Sequence, residues 1–241
     1  MAATSWQKYG GLGWWYKEVF QALTFVSSLS FHKMTNRELR NSLLDLLALE
    51  LKPAGFVLNK AQAEFTNRLK DGWEKFQLIF LTRSEGWEIN SGVLLRRNLV
   101  EEIYHKASYF EAKYHKTTPT IGIALENFYN DGNSYRLTLA SETDILPSFH
   151  RLLYLFNNVA IPFFGKYSSL EELDKEVNIE IRKSIFSGPK YEGNLGIILA
   201  KLVDNPHYSK LEEKYRNYYK KLSNGFYLPE YEGVIEVLKN V

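Results

Sequence analysis

The sequence predicts an α+β fold, an antiparallel sheet of four to five strands packed with helices and followed by a helical C-terminal extension. Three observations carry this. Residues 72–97 alternate apolar and polar side chains with a period of two on both sides of a short glycine-bearing break. Leu39, Leu43, Leu46, Leu47 and Leu51 recur at helical spacing before it. Beyond residue 194 every apolar pattern has the helical period.

At 241 residues the chain is long enough to bury a core without covalent staples. Apolar residues make up 45% and charged residues 24%, the balance of an ordinary globular protein. Aromatic residues reach 15%, which favours a thick mixed core or an adhesive surface. With no cysteine the chain has no disulfide, thiol nucleophile or thiolate metal ligand, and a reducing, cytoplasmic setting is the expectation. The net charge of +2 supplies no global attraction to nucleic acid or anionic lipid. No apolar run reaches the roughly 18 residues of a membrane span.

The elements follow in order. Residues 1–33 read as an N-terminal appendage. Gly10-Gly11-Leu12-Gly13 is a flexible break, and Phe20, Leu23, Val26 and Leu29 lie near helical spacing. Lys8 and Lys17 with Ser28-Leu29-Ser30 resemble the parts of a signal peptide, but Glu18 and Gln21 interrupt the apolar part. A packed or partner-binding helix is expected instead, and Met34 offers an alternative start. Thr35 to Glu38 has capping-box form and opens a helix that Pro53 and Gly55 end. Residues 56–68 suggest one weak strand, and Asp71-Gly72 turns the chain into the central hairpin. There Phe76, Leu78 and Phe80 form one face, answered after Ser84-Glu85-Gly86 by Trp87, Ile89, Ser91, Val93 and Leu95. Ile79 and Leu81 make the first strand apolar on both faces, which places it inside the sheet.

A second helix is expected from Asn98 to Phe110, with Leu99, Val100, Ile103, Tyr104 and Ala107 inward. Ile121, Ile123 and Leu125 mark a strand, Asn130-Asp131-Gly132-Asn133 a turn, and Tyr135, Leu137 and Leu139 a returning strand. A helix spans 143–158, Ile161-Pro162-Phe163-Phe164 is an apolar connector, and Ser169 to Glu172 caps a short helix. Residues 183–194, with Gly188-Pro189 and Gly193, read as a linker. Three helices follow at 195–203, 208–222 and 229–238. The domain scheme is therefore 1–33 appendage, 34–182 α+β core and 183–241 helical extension.

The segments KPAGF (52–56), WEINSGV (87–93) and AIPFFGKYSSLEEL (160–173), in this order of elements, resemble the bacterial family catalogued as domain of unknown function 4304. The likeness covers roughly 34–177. It implies a compact α+β domain and a binder in toxin-immunity or related defence settings, and it carries over no catalytic residues.

The residues themselves offer no catalytic constellation, no cofactor motif and no metal set. His105 with Glu101 and Glu102 on one helix is the nearest approach to a ligand group, and a solvated helix face is the plainer expectation. Ser148, His150 and Arg151 lack anything to orient them as nucleophile and base. The pairs Glu101-Glu102, Glu171-Glu172 and Glu212-Glu213 suit helix starts or surfaces. One surface stands out. Between Lys201 and Lys221 six Lys or Arg face three acidic residues, with Tyr208, Tyr215, Tyr218 and Tyr219 interleaved. Tyr208, Lys214, Tyr215, Tyr218 and Lys221 are the candidate binding residues. They suit a protein partner, toxin-like if the resemblance holds, or phosphates and bases. Tyrosines facing the core and lysines facing water would look the same in sequence. A non-catalytic interaction protein is the leading expectation, and a nucleic-acid-associated factor is its rival.

Overall fold

The computed structural model describes residues 33–129, 132, 134–186, 188 and 192–241. The expected N-terminal appendage up to His32, and Asn130, Asp131 and Asn133 of the expected turn, lie outside them. The first helix, α1 (Asn36–Leu51), turns Leu39, Leu43, Leu47 and Leu51 into the core, and Gly55 at φ 87° stops the short 3-10 turn behind it. That left-handed conformation suits glycine, which lacks a Cβ to clash.

Six strands form one antiparallel sheet: β1 (Val57–Asn59), β2 (Glu64–Leu69), β3 (Gly72–Arg83), β4 (Gly86–Arg97), β5 (Ile121–Ala124) and β6 (Leu137–Leu139). The β3–β4 hairpin forms as expected, with Arg83 opposite Gly86, Phe76 opposite Val93 and Gly86 already in β4. Residues 56–68 hold two strands, not one, because Ala63 takes a positive φ of 53° ahead of Glu64 and the chain doubles back.

The outer edge of β4 corrects a second expectation. β5 and β6 do not pair with each other as a hairpin. Both pair with β4, β5 along Gly92 to Leu95 and β6 along Trp87 to Ile89. They are one edge strand interrupted by an excursion that contains a helix of about a turn and a half, Leu125–Tyr129. The sheet is thus five positions wide although it has six strands.

One face of the sheet holds the core. Phe65, Phe76, Leu78, Ile89, Val93 and Leu95 are buried on it. Phe56 and Phe76 meet Phe156 edge-on, and Phe56 also meets Phe164, at centroid distances of 5.0–5.7 Å. Phe80 shares the face but is only half-buried, with Trp87 edge-on at 5.8 Å and the Arg40 guanidinium 5.1 Å above the ring. The opposite face is open near Ile79, which is 46% exposed. Position inside the sheet therefore did not bring burial on both sides.

In chain order the helices after β4 are α2 (Asn98–Tyr104), α3 (the Leu125–Tyr129 turn above), α4 (Ile145–Leu155), α5 (Ile161–Lys166), α6 (Leu170–Val177), α7 (Glu192–Leu202), α8 (Tyr208–Lys221) and α9 (Leu228–Leu238). Helix α2 stops six residues short of the expected Phe110, and Leu99 points outward, 51% exposed. The apolar connector at 161–164 is helical as well. Between α4 and α5 the chain forms a π-turn, Phe156–Ala160, with the Ile161 amide bonded to the Phe156 carbonyl. Pro162 has no amide to give and its ring would strike a regular helix one turn back, so the widened turn lets the helix continue past it. Ser169 caps α6 as expected, its Oγ accepting from the Glu172 amide at 3.2 Å.

Helices α7 to α9 pack on one another and on α2 and α6, and Asn36–Val241 form one compact unit. Gly193 and Asn194, expected in a linker, lie buried inside α7. Gly193 is there because a Cβ would stand 2.7 Å from the Tyr219 ring and 2.8 Å from the Tyr215 ring. The two tyrosines of α8 lie directly on the α7 backbone.

Candidate functional site

Helix α2 begins where β4 leaves the sheet, so Arg96, Glu101 and the loop before β5 converge at one end of the β4 strand. The Glu101 carboxylate is 4% exposed. Thr118 Oγ1 donates to its Oε2 at 2.8 Å and Thr120 Oγ1 to its Oε1 at 2.9 Å. Arg96 Nη1 lies 3.8 Å from Oε2 and donates to the Thr118 carbonyl at 2.6 Å and hydroxyl at 3.0 Å. His105 Nε2 meets the same hydroxyl at 2.7 Å, and its Nδ1 meets Ser108 Oγ at 2.8 Å. His115 stacks on His105 with ring centroids 4.1 Å apart and bonds the Phe110 carbonyl.

Counting protons shows how the knot is wired. The Thr118 hydroxyl has one proton, given to Glu101, and two lone pairs, taken by Arg96 and His105. His105 therefore carries a proton on Nε2. Thr120 is used in the same way, donating to Glu101 and accepting from the Arg97 amide at 3.0 Å. Burial lowers the Arg96 guanidinium from the usual arginine range, and Glu101 partly offsets this. A serine-protease-like relay needs the carboxylate to orient the imidazole and the imidazole to take the hydroxyl proton. Here carboxylate and imidazole both hold the hydroxyl, and Thr118 has no free lone pair for attack. The arrangement pins the 105–120 segment to the sheet. The helix face of Glu101 and His105 is thus buried, not solvated as expected; only Glu102 is exposed.

Beside the knot is a cleft of about 140 Å³, walled by Val100, Tyr104, Phe110, Pro119, Leu195 and Ile198, with Glu101, Thr118 and Thr120 along one side. The Tyr104 hydroxyl is turned away from it, donating to Glu230 Oε1 at 2.6 Å. Burial and that carboxylate raise the tyrosine well above its ordinary range. Sequence reasoning reached Glu101 and His105 but not Arg96, Thr118, Thr120 or Glu230. Their partners lie far along the chain, and no local pattern announces them.

The five expected binding residues fall into two sets. Tyr215 is buried and donates to Asn178 Oδ1 at 2.7 Å; Asn178 in turn donates to Asp174 and to the Gly196 carbonyl. Tyr208 and Tyr218 are half-buried, while Lys214 and Lys221 are exposed. Burial raises all three of these tyrosines from their ordinary range. The structure seats the aromatic stripe on α7 and leaves the lysines in solvent, so the five do not share one surface.

A different aromatic group, built around the buried Tyr135, does reach the surface through Tyr129 and Tyr154. The Arg151 guanidinium on α4 sits 5.0 Å from the Tyr135 ring and 5.4 Å from the Tyr154 ring. Tyr129 meets Tyr135 edge-on at 5.8 Å. Tyr129 and Tyr154 are each 48% exposed, and Leu146 of α4 and Ile161 of α5 are exposed as well.

Among the described residues no group of three or more His, Cys, Asp or Glu is placed to hold a metal ion, and no helix is long and apolar enough to cross a membrane. Against known proteins, no family model, no curated protein and no solved structure matches the chain.

Proposed function

We propose that this chain is a non-catalytic interaction protein that meets a protein partner through the Tyr129, Arg151 and Tyr154 surface. The observation that carries this is the group of exposed Tyr129 and Tyr154 and half-buried Arg151 gathered around the buried Tyr135 ring. Tyrosine and arginine dominate the energetically important residues of protein interfaces, and a guanidinium already held between two rings loses little freedom on binding. The knot at Thr118 supports it from the other side, since the hydroxyl best placed for attack is fully occupied by Glu101, Arg96 and His105. Resemblance to the domain of unknown function 4304 family points the same way and suggests a bacterial toxin-immunity or defence setting, with the toxin as partner.

The test is recovery of partners from native cells with the full chain as bait. A stoichiometric protein should be retained, and Arg151→Ala with Tyr154→Ala should reduce its recovery while leaving the melting temperature nearly unchanged. Recovery of no stoichiometric protein would sink the proposal. The rival role, a nucleic-acid-associated factor using Lys214 and Lys221 with Tyr208 and Tyr218, is separated by salt. Phosphate contacts make affinity fall steeply as salt rises, whereas a largely aromatic protein interface responds much less.

A further inference from the structure

We propose that the cleft between α2, α7 and the 110–120 segment binds a small neutral aromatic compound, a single ring carrying one hydroxyl or amino donor, with the donor on Glu101. Its size sets the first limit. At about 140 Å³ it is close to the engineered apolar cavity of about 150 Å³ known to admit benzene, so one six-membered ring fits. The walls set the second. Leu195 and Ile198 of α7 and Val100 of α2 are buried and form an apolar floor, whereas Pro119 is exposed and Phe110 half-buried, which puts the mouth at the loop.

Glu101 sets the third limit. Its Oε1 receives only the Thr120 hydroxyl, and a carboxylate oxygen has room for a second donor. A ring that fills the cleft without a donor would displace water from this buried carboxylate and return nothing, which is unfavourable. A carboxylate on the ligand would face Glu101 directly. A full positive charge is not required, because the Arg96 guanidinium already stands 3.8 Å from Glu101. A neutral donor on an aromatic ring answers all of these conditions.

Phenol, toluene, benzoate and benzylammonium are the probes, titrated into the full chain by calorimetry, with NMR contacts recorded from ring protons to the Leu195 and Ile198 methyls. Phenol should saturate with a Kd at or below about 1 mM, toluene at least about tenfold weaker, and benzoate not at all. Leu195→Phe, which fills the cleft, should weaken phenol by at least about tenfold while keeping a cooperative melt. Lack of saturation by phenol, absence of contacts to those methyls, or undiminished binding by a folded Leu195→Phe chain would overturn the site. Toluene binding as tightly as phenol would overturn the role of Glu101, and benzylammonium binding more tightly would overturn neutrality. If Leu195→Phe does not fold, the methyl contacts in the unaltered chain decide. The interaction surface on α4 shares no residue with this cleft, so either proposal can fail alone.

Discussion

Replacing Gly196 by alanine tests how closely α8 is seated on α7. A Cβ at Gly196 would stand 2.5 Å from Asn178 Oδ1, 2.7 Å from the Tyr215 hydroxyl and 3.0 Å from its ring. These atoms are not free to move aside. Tyr215 is buried at 1% exposure, and Asn178 is held by Asp174 at 2.6 Å and the Gly196 carbonyl at 3.0 Å. Three effects compete. Alanine favours the helix over glycine by about 1 kcal/mol. Overpacking in a filled core costs about 1–3 kcal/mol. Forcing apart the Tyr215 to Asn178 bond costs about 0.5–1.5 kcal/mol more, with a buried acceptor left short of a donor. The last two outweigh the first, and a net loss of about 1–3 kcal/mol follows. For a chain of this size each kcal/mol moves Tm by about 2–4 °C. Gly165→Ala is the control, because that glycine lies in α5 with nothing within 4 Å of a Cβ. It should stabilise by about 0.4–1 kcal/mol. Urea denaturation of both variants measures the difference. If Gly196→Ala stabilised the chain as Gly165→Ala does, α8 would not be seated on α7 as described.

Three further outcomes are expected. Phe76→Ala should cost about 3–5 kcal/mol from lost burial and an unfilled cavity, and Phe80→Ala distinctly less because Phe80 is half-buried; equal losses by denaturant titration would contradict the packing. Burial raises the Glu192 carboxyl above its ordinary range, so the unfolded chain loses this proton at lower pH than the folded one. Stability from this group is therefore highest at acid pH and falls as pH rises toward the folded pKa. Glu192→Gln should gain stability over the native chain at pH 7 and lose that advantage near pH 4, and parallel pH profiles would contradict it. Finally, Lys214→Glu with Lys221→Glu should leave Tm within a degree or two, since both side chains are exposed; a large drop in a thermal melt would mean they are packed.

Legibility followed the range of the interactions. The 72–97 hairpin was plain, because its alternation and its turn lie within one short stretch and need nothing else to specify them. The start of α6 at Ser169 and the three C-terminal helices were plain for the same reason. The interrupted edge strand was not. Strand, turn and strand at 121–139 have the local form of a hairpin, and only the unpaired edge of β4 decides that β5 and β6 both join it. Helix α2 shows a related limit. Its apolar spacing continues toward Phe110, yet His105 leaves the helix to bond Thr118 and Ser108. Of the site, Glu101 and His105 could be paired by helical spacing, whereas Thr118 and Thr120 reach them only through the fold.

By itself the sequence determined the α+β class, the central hairpin and the helical character of the C-terminal third. Each depends on periodicity or on a turn, and these act between residues a few positions apart. The tertiary structure decided which faces are buried, why Gly193 and Gly196 belong in a helix, and that a carboxylate, two threonines, an arginine and a histidine close into one hydrogen-bonded knot. Burial and hydrogen-bond satisfaction depend on what the rest of the chain brings to a residue, and a local pattern holds no record of that.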